Sequence, residues 1–275
     1  MGMKVVDAHI HLSDPEYNQK MGEILEDAKR SNVVALVSNS MNLQSSLGTL
    51  QLAKEHPNLV YAALGIHPWN IGNLSPNEVQ ETVDLILQHE TRSERVVAVG
   101  EIGLDHQYAG KKLWESQLKV FHEMLSAAEK TSLPVIIHSR GTTPEIVNLL
   151  PSYSLKKILL HWFSRPITLL PQIVDKGYYI SEGPPSVYSN HTQDIIKRIP
   201  LTNLLTETDG PVDFRGPFQG RMTTPAFLPL VIEAIAKIKE VKEIDVADQI
   251  LQNFTKLFGI AFSEAEAIED AEKAQ

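Results

Sequence analysis

Short runs of Val, Ile and Leu alternate along the chain with longer stretches whose apolar residues recur every three to four positions. The short runs fall at residues 4–8, 33–38, 59–66, 96–100, 134–138, 158–161, 178–181 and 204–208. Near-continuous apolar runs of this length suit strands of a parallel sheet, which helices cover on its faces. Helical period is carried by Met21, Ile24, Leu25 and Ala28, and again by Trp114, Leu118, Phe121, Leu125 and Ala128. Ser75-Pro76-Asn77-Glu78 predicts a helix start, with a capping Ser, Pro in the first turn and Glu three residues after the cap. Two consecutive helices are predicted over 226–239 and 245–258. Eight strands interleaved with helices predict an α/β protein, a TIM-type (β/α)8 barrel, regular or distorted, with a doubly wound open sheet as the alternative. No linker, repeat or low-complexity segment divides the chain, so residues 1–275 are read as one barrel domain.

In a parallel barrel the C-terminal ends of all strands open on one face, and catalytic groups collect there. The polar residues of this chain follow that rule. The first run ends in His9 and His11, whose side chains share one side of an extended chain. The third ends at His67, the fourth at Glu101 and Asp105, the fifth at His138 and Arg140, the sixth at His161, and the eighth at Glu207 and Asp209. Four histidines (9, 11, 138 and 161) with two carboxylates (Glu101 and Asp209) exceed the need of one tetrahedral ion. They suffice for two: His9, His11 and Asp209 on one, His138 and His161 on the other, Glu101 between them. Such a pair, about 3.5–4 Å apart, can hold a bridging hydroxide and polarise the bond it attacks.

Composition narrows the choice. Among the 275 residues there is no cysteine, which excludes disulfides and thiolate ligands and leaves any metal to His, Asp and Glu. A mixed imidazole–carboxylate set admits Zn, Mn, Fe, Co, Ni or Mg, with Mg the poorest match. The formal charge of −9 argues against coating nucleic acid by bulk attraction, although residues 263–275 alone contribute five acids and one lysine. No signal peptide and no membrane-length apolar stretch is read, so a cytoplasmic protein without membrane or obligate protein partner is expected.

The motifs together resemble the TatD family of metal-dependent deoxyribonucleases, within the amidohydrolase-like group of barrel hydrolases. The resemblance rests on Asp7-Ala8-His9-Ile10-His11-Leu12, Gly65-Ile66-His67-Pro68, Gly100-Glu101-Ile102-Gly103-Leu104-Asp105, Ile137-His138-Ser139-Arg140, Leu160-His161 with Phe163-Ser164, and Glu207-Thr208-Asp209-Gly210-Pro211. Asn253-Phe254-Thr255-Lys256-Leu257-Phe258 is similar to the family's closing helix, so the likeness runs through nearly the whole chain. It implies two divalent metals at the six positions named, hydrolysis of DNA phosphodiester bonds from an end, and Asp209 as both ligand and general base. Single strands or DNA ends are the implied substrate. The chain departs from the family at Trp162, where Cys is common, at Arg165, where Gly is common, and at Gly141-Thr142 after the strand-5 motif. The loop 212–224, with Arg215 and Arg221, is also unfamiliar. These departures bear on substrate preference and leave the metal positions intact.

Other residues carry two readings each. Arg140 grips a phosphate or pairs with a carboxylate, and His67 donates to the same phosphate or satisfies a turn before Pro68. Asp105 supports a metal-bound histidine or serves its own loop, and Glu207 orients site residues from beneath or forms a buried salt bridge. Trp69, Trp162 and Phe163 stack on bases or pack on the barrel. Lys111, Lys112, Arg165, Arg215 and Arg221 make the catalytic face basic or are simply solvated. The expected chemistry is in-line attack of hydroxide on phosphorus, with Asp209 taking the proton, and Arg140 and the metals balancing the developing charge. The rival is hydrolysis of small amides, lactones or esters on the same barrel. It is weakened because Glu101 stands where such barrels often bridge metals through a modified lysine.

Overall fold

The computed structural model describes residues 2–88, 95–108 and 110–262, with only the backbone of Lys111. The acidic stretch 263–275 and His89 lie outside the described residues. Eight strands pair in chain order, every ladder parallel: β1 (Val5–Ile10), β2 (Val33–Asn39), β3 (Val60–Leu64), β4 (Val96–Asp105), β5 (Val135–Arg140), β6 (Ile158–Leu160), β7 (Tyr179–Glu182) and β8 (Leu204–Thr206). Helices α1 (Met21–Arg30), α2 (Leu43–Glu55), α3 (Glu78–Leu87), α4 (Trp114–Thr131), α5 (Thr143–Leu149), α6 (Leu170–Asp175) and α7 (Asn190–Arg198) carry the chain from each strand to the next. α8 (Leu228–Lys239) and α9 (Glu243–Phe258) follow β8. This is a (β/α)8 barrel of the TIM type.

The strands are buried almost throughout, which is why their sequences lack alternation. The amphipathic stripes face inward as expected: Ile24, Leu25 and Ala28 of α1, and Phe121, Leu125 and Ala128 of α4, are buried. Asn253 of α9 is buried too, and its amide donates to the carbonyls of Leu201 (2.8 Å) and Leu204 (2.7 Å), fixing the start of β8.

β8 and β1 close the barrel through side chains. Thr206 Oγ1 donates to the Val6 carbonyl (2.7 Å), and the Asp7 carboxylate accepts from the amide (3.0 Å) and hydroxyl (2.5 Å) of Thr208. The Asp209 amide then donates to the His9 carbonyl (2.8 Å). Burial pushes the Asp7 carboxyl up to about 8, with the bonds from Thr208 and His9 working the other way.

Among the boundaries that differ from the sequence expectation, three have a clear physical cause. β4 continues five residues beyond Gly100 to Asp105, because Gly103, Leu104 and Asp105 pair with His138, Ser139 and Arg140 of β5. Pairing thus overrides the weak strand preference of Gly and Glu. α3 begins at Glu78 rather than at Ser75: Glu78 Oε2 accepts from the Ser75 amide (3.0 Å), while no side chain caps the helix. α8 begins at Leu228, after a separate 3-10 turn Pro225–Phe227, since Pro229 is tolerated only in a helix's first turn.

Candidate metal centre

All six expected ligands meet at the C-terminal mouth of the barrel. His9 and His11 sit two apart at the end of β1, and their Nε2 atoms are 3.2 Å apart. From His9 Nε2 it is 3.3 Å to Glu101 Oε2 and 3.4 Å to Asp209 Oδ1; from His11 Nε2 the same oxygens are 3.2 and 3.6 Å away. Four ligand atoms at these separations match the edges of a tetrahedron with bonds of about 2.0–2.1 Å, which are about 3.3–3.4 Å long. The other oxygen of Glu101, Oε1, faces His161 Nε2 (2.8 Å), His138 Nδ1 (3.0 Å) and His67 Nε2 (3.2 Å). One carboxylate therefore touches both halves of the set. Among the described residues, three overlapping triads bring together ligand atoms that could hold a metal: His9–His11–Asp209, His9–Glu101–His161 and His67–Glu101–His138. His9 and His161 also stack, 3.9 Å between centroids and 7° between planes.

The outward nitrogens explain which ring atoms are free to ligate. His11 Nδ1 lies 3.1 Å from the Asn39 carbonyl, so it carries a proton and leaves Nε2 as the atom that would ligate an ion. His138 Nε2 lies 2.9 Å from Asp105 Oδ2, an acceptor for the ring proton that would free Nδ1 for an ion beside Glu101. His161 Nδ1 approaches Glu207 Oε2 at 3.5 Å without a hydrogen bond, and that oxygen accepts from Ser181 Oγ (2.5 Å). Lone pairs and carboxylates crowded on one point repel one another unless a cation or protons lie between them, so this donor set fits a divalent metal.

Electrostatics agree. Burial alone would raise Glu101, but His67, His161, His9 and His11 together hold its carboxyl well below the usual range. Burial would likewise raise Asp209, yet the bond from His11 and the charges of His161 and His9 keep it low. His11 is pushed up to about 10, its two carboxylate neighbours outweighing burial, whereas burial dominates at His67 and lowers it to about 4.

His67 accepts the Trp69 amide on Nδ1 (3.1 Å), which leaves its proton on Nε2, directed at Glu101. It caps the turn Pro68–Asn73 and is buried, with both nitrogens engaged. Asp105 takes the supporting position: besides His138, it accepts from Trp69 Nε1 (2.7 Å) and from the amides of Gln107 (2.6 Å) and Tyr108 (2.7 Å). Burial opposes its ionisation, but the bonds from His138, the Tyr108 amide and the indole hold it below the usual range. Arg140 has no carboxylate partner among the described residues; its guanidinium lies 4.6 Å over the Tyr108 ring. Phe163 is fully buried and packs in the core, so it offers no stacking face. Trp162 leans on Phe214 (5.6 Å) beside a small cluster of Phe214, Phe218 and Phe227 that anchors the loop 212–224. Lys112, Arg165, Arg215 and Arg221 are exposed.

Two participants escaped the sequence reading. Asn39 contributes a main-chain carbonyl, which no residue type signals. Glu182 ends β7, buried and with neither oxygen bonded among the described residues; burial and nearby Glu207 push its carboxyl well above the usual range. Its position directly after the seventh apolar run was the signal available.

Residues 6–259 match the family model of TatD related DNases. The human protein named deoxyribonuclease TATDN3 is 32% identical over 265 residues, covering 94% of this chain and 95% of its own. An uncharacterized metal-dependent hydrolase of Methanocaldococcus jannaschii is 31% identical, covering 93% and 97%. The crystal structure of YjjV, a TatD homolog from Escherichia coli, superposes with a TM-score of 0.87 at 29% identity, over 95% of this chain and all of that one. With the match spanning the barrel from β1 to the end of α9, the chain belongs to the TatD-related DNase family.

Proposed function

We propose that this chain hydrolyses phosphodiester bonds in DNA from an end, with two divalent ions held by His9, His11, Glu101, His138, His161 and Asp209. The observation that carries the reading is the convergence of imidazole lone pairs and two carboxylates at the barrel mouth, with Glu101 facing one group through each oxygen. The choice of bond follows the relatives, one of which is named a deoxyribonuclease. The imidazole-rich set suits Zn, Mn, Fe, Co or Ni better than Mg.

Bound ions supply acidified water and offset charge on the phosphoryl oxygens. The remaining work falls to the chain. Asp209, kept ionised by the histidines around it, takes the proton of the attacking water. Glu101 spans the two ligand groups, and His67 holds it by donating from Nε2. Asp105 and Glu207 orient His138 and His161 from behind. Arg140, with no carboxylate partner among the described residues, offers a bidentate grip on the phosphate.

End-labelled oligonucleotides, lactones and amides, each assayed with and without chelator, test this reading. Chelator-sensitive shortening of the oligonucleotide is expected, with kcat falling about 10²–10⁴-fold in Asp209→Asn at unchanged metal content. Turnover of a lactone or amide with no nuclease product would transfer the centre to small-molecule hydrolysis.

A further inference from the structure

One rim of the mouth carries two exposed aromatic rings. Trp69, in the 3-10 turn Pro68–Asn73 after β3, is 44% exposed, and Tyr108, beyond the end of β4, is 63% exposed. Their centroids are 5.3 Å apart. Arg140 lies over one face of the Tyr108 ring at 4.6 Å, which fixes a positive charge against the pair.

An exposed tryptophan needs no explanation by itself. This one is locked in place. Its indole N–H donates to Asp105 Oδ2 (2.7 Å), the same oxygen that holds His138 Nε2 (2.9 Å). Its ring is 4.9 Å from that of His67 and 6.0 Å from that of His138. Two exposed rings inclined at 52° to each other, with a cation against one of them, thus adjoin the centre. The other aromatics in the neighbourhood are committed elsewhere: Phe163 to the core and Trp162 to Phe214.

We propose that Trp69 and Tyr108 form a nucleobase subsite, which receives the base next to the scissile phosphate while Arg140 meets the phosphate. The subsite rests on the phosphodiesterase reading above and adds a base contact to it. Every base has a π-face, so the contact is tolerant of sequence. It favours single strands and frayed ends, because in a duplex both faces of a base are covered by its neighbours.

Two chromogenic diesters separate base from phosphate: thymidine 5′-(p-nitrophenyl phosphate) and methyl p-nitrophenyl phosphate, which share a leaving group. The expected result is that Tyr108→Leu and Trp69→Leu lower the ratio of kcat/KM for the nucleoside diester over the methyl diester about tenfold, mainly through KM. Trp69→Phe keeps a ring, so the ratio stays within about threefold of wild type even where loss of the indole bond to Asp105 slows both substrates. An unchanged ratio in both leucine variants, with wild type turning over both diesters, would overturn the subsite and leave the phosphodiesterase reading standing. Failure of metal-loaded wild type to hydrolyse either diester would instead overturn that reading, and the subsite with it.

Discussion

His11 and His138 show how much of a site lies in single atoms. Each has an acceptor for one ring proton behind it, Asn39 O for one and Asp105 for the other, and so would turn its other nitrogen to an ion at the centre. His67 does the reverse: its accepting nitrogen is taken by the Trp69 amide and its proton points inward. Burial holds His67 at about 4, whereas a histidine of the unfolded chain titrates near 6.5. As pH falls from about 6.5 to 4 the unfolded chain takes up this proton first, so the group withdraws stability across that window and none above it. In metal-free protein, the stability of wild type relative to His67→Gln should therefore drop by about 2 kcal/mol between pH 7 and pH 4.5. Denaturant titrations at both pH values measure it; a constant difference would mean that His67 is not a buried neutral ring. The residue types at these positions were legible from the chain. The tautomers were not, since each depends on an acceptor brought in from elsewhere in the sequence.

At the scale of elements, β4 sets the geometry of the centre because it presents both Glu101 and Asp105. Its extended pairing with β5 requires Gly103. Backbone φ there is +151°, and a Cβ would stand 2.0 Å from the His138 carbonyl oxygen. Gly103→Ala must push β4 away from β5 or distort the strand that bears His138. We expect a loss of about 2–4 kcal/mol in stability from strain and overpacking together, and weaker metal binding. Thermal unfolding and metal titration of the variant would detect it; wild-type stability would show that the strands can part at no cost. The apolar runs located all eight strands, whereas their ends were less legible. Gly100-Glu101-Ile102-Gly103 reads as a break by local preference, and only the neighbouring strand makes it a continuation. The start of α8 was misplaced for the opposite reason: apolar period carried the helix back past Pro229, whose ring forbids it.

For the whole molecule, the centre joins opposite sides of the barrel, since its candidate ligands come from β1, β4 and β5 and from the segments directly after β1, β6 and β8. An ion bound there ties these elements together only in the folded state, so it stabilises by mass action. At an ion concentration about a hundred times Kd the gain is about 2.7 kcal/mol, and chelation should lower Tm by roughly 5–10 °C. Calorimetry before and after dialysis against chelator, with metal added back, measures the shift; identical melting curves would deny the centre any ion. By itself the chain determined the alternation of strand and helix, and with it the common rim at which His9, His11, Glu101, His138, His161 and Asp209 emerge. Periodicity and residue type are local properties, and a parallel barrel maps strand ends onto one face. The tertiary structure alone decided the two-sided contact of Glu101, the closing bonds from Thr206 and Thr208 to β1, the isolation of Glu182, and the exposure of Trp69 and Tyr108 beside Arg140. Each of those depends on distances between segments far apart in the chain, which packing sets and local sequence does not record.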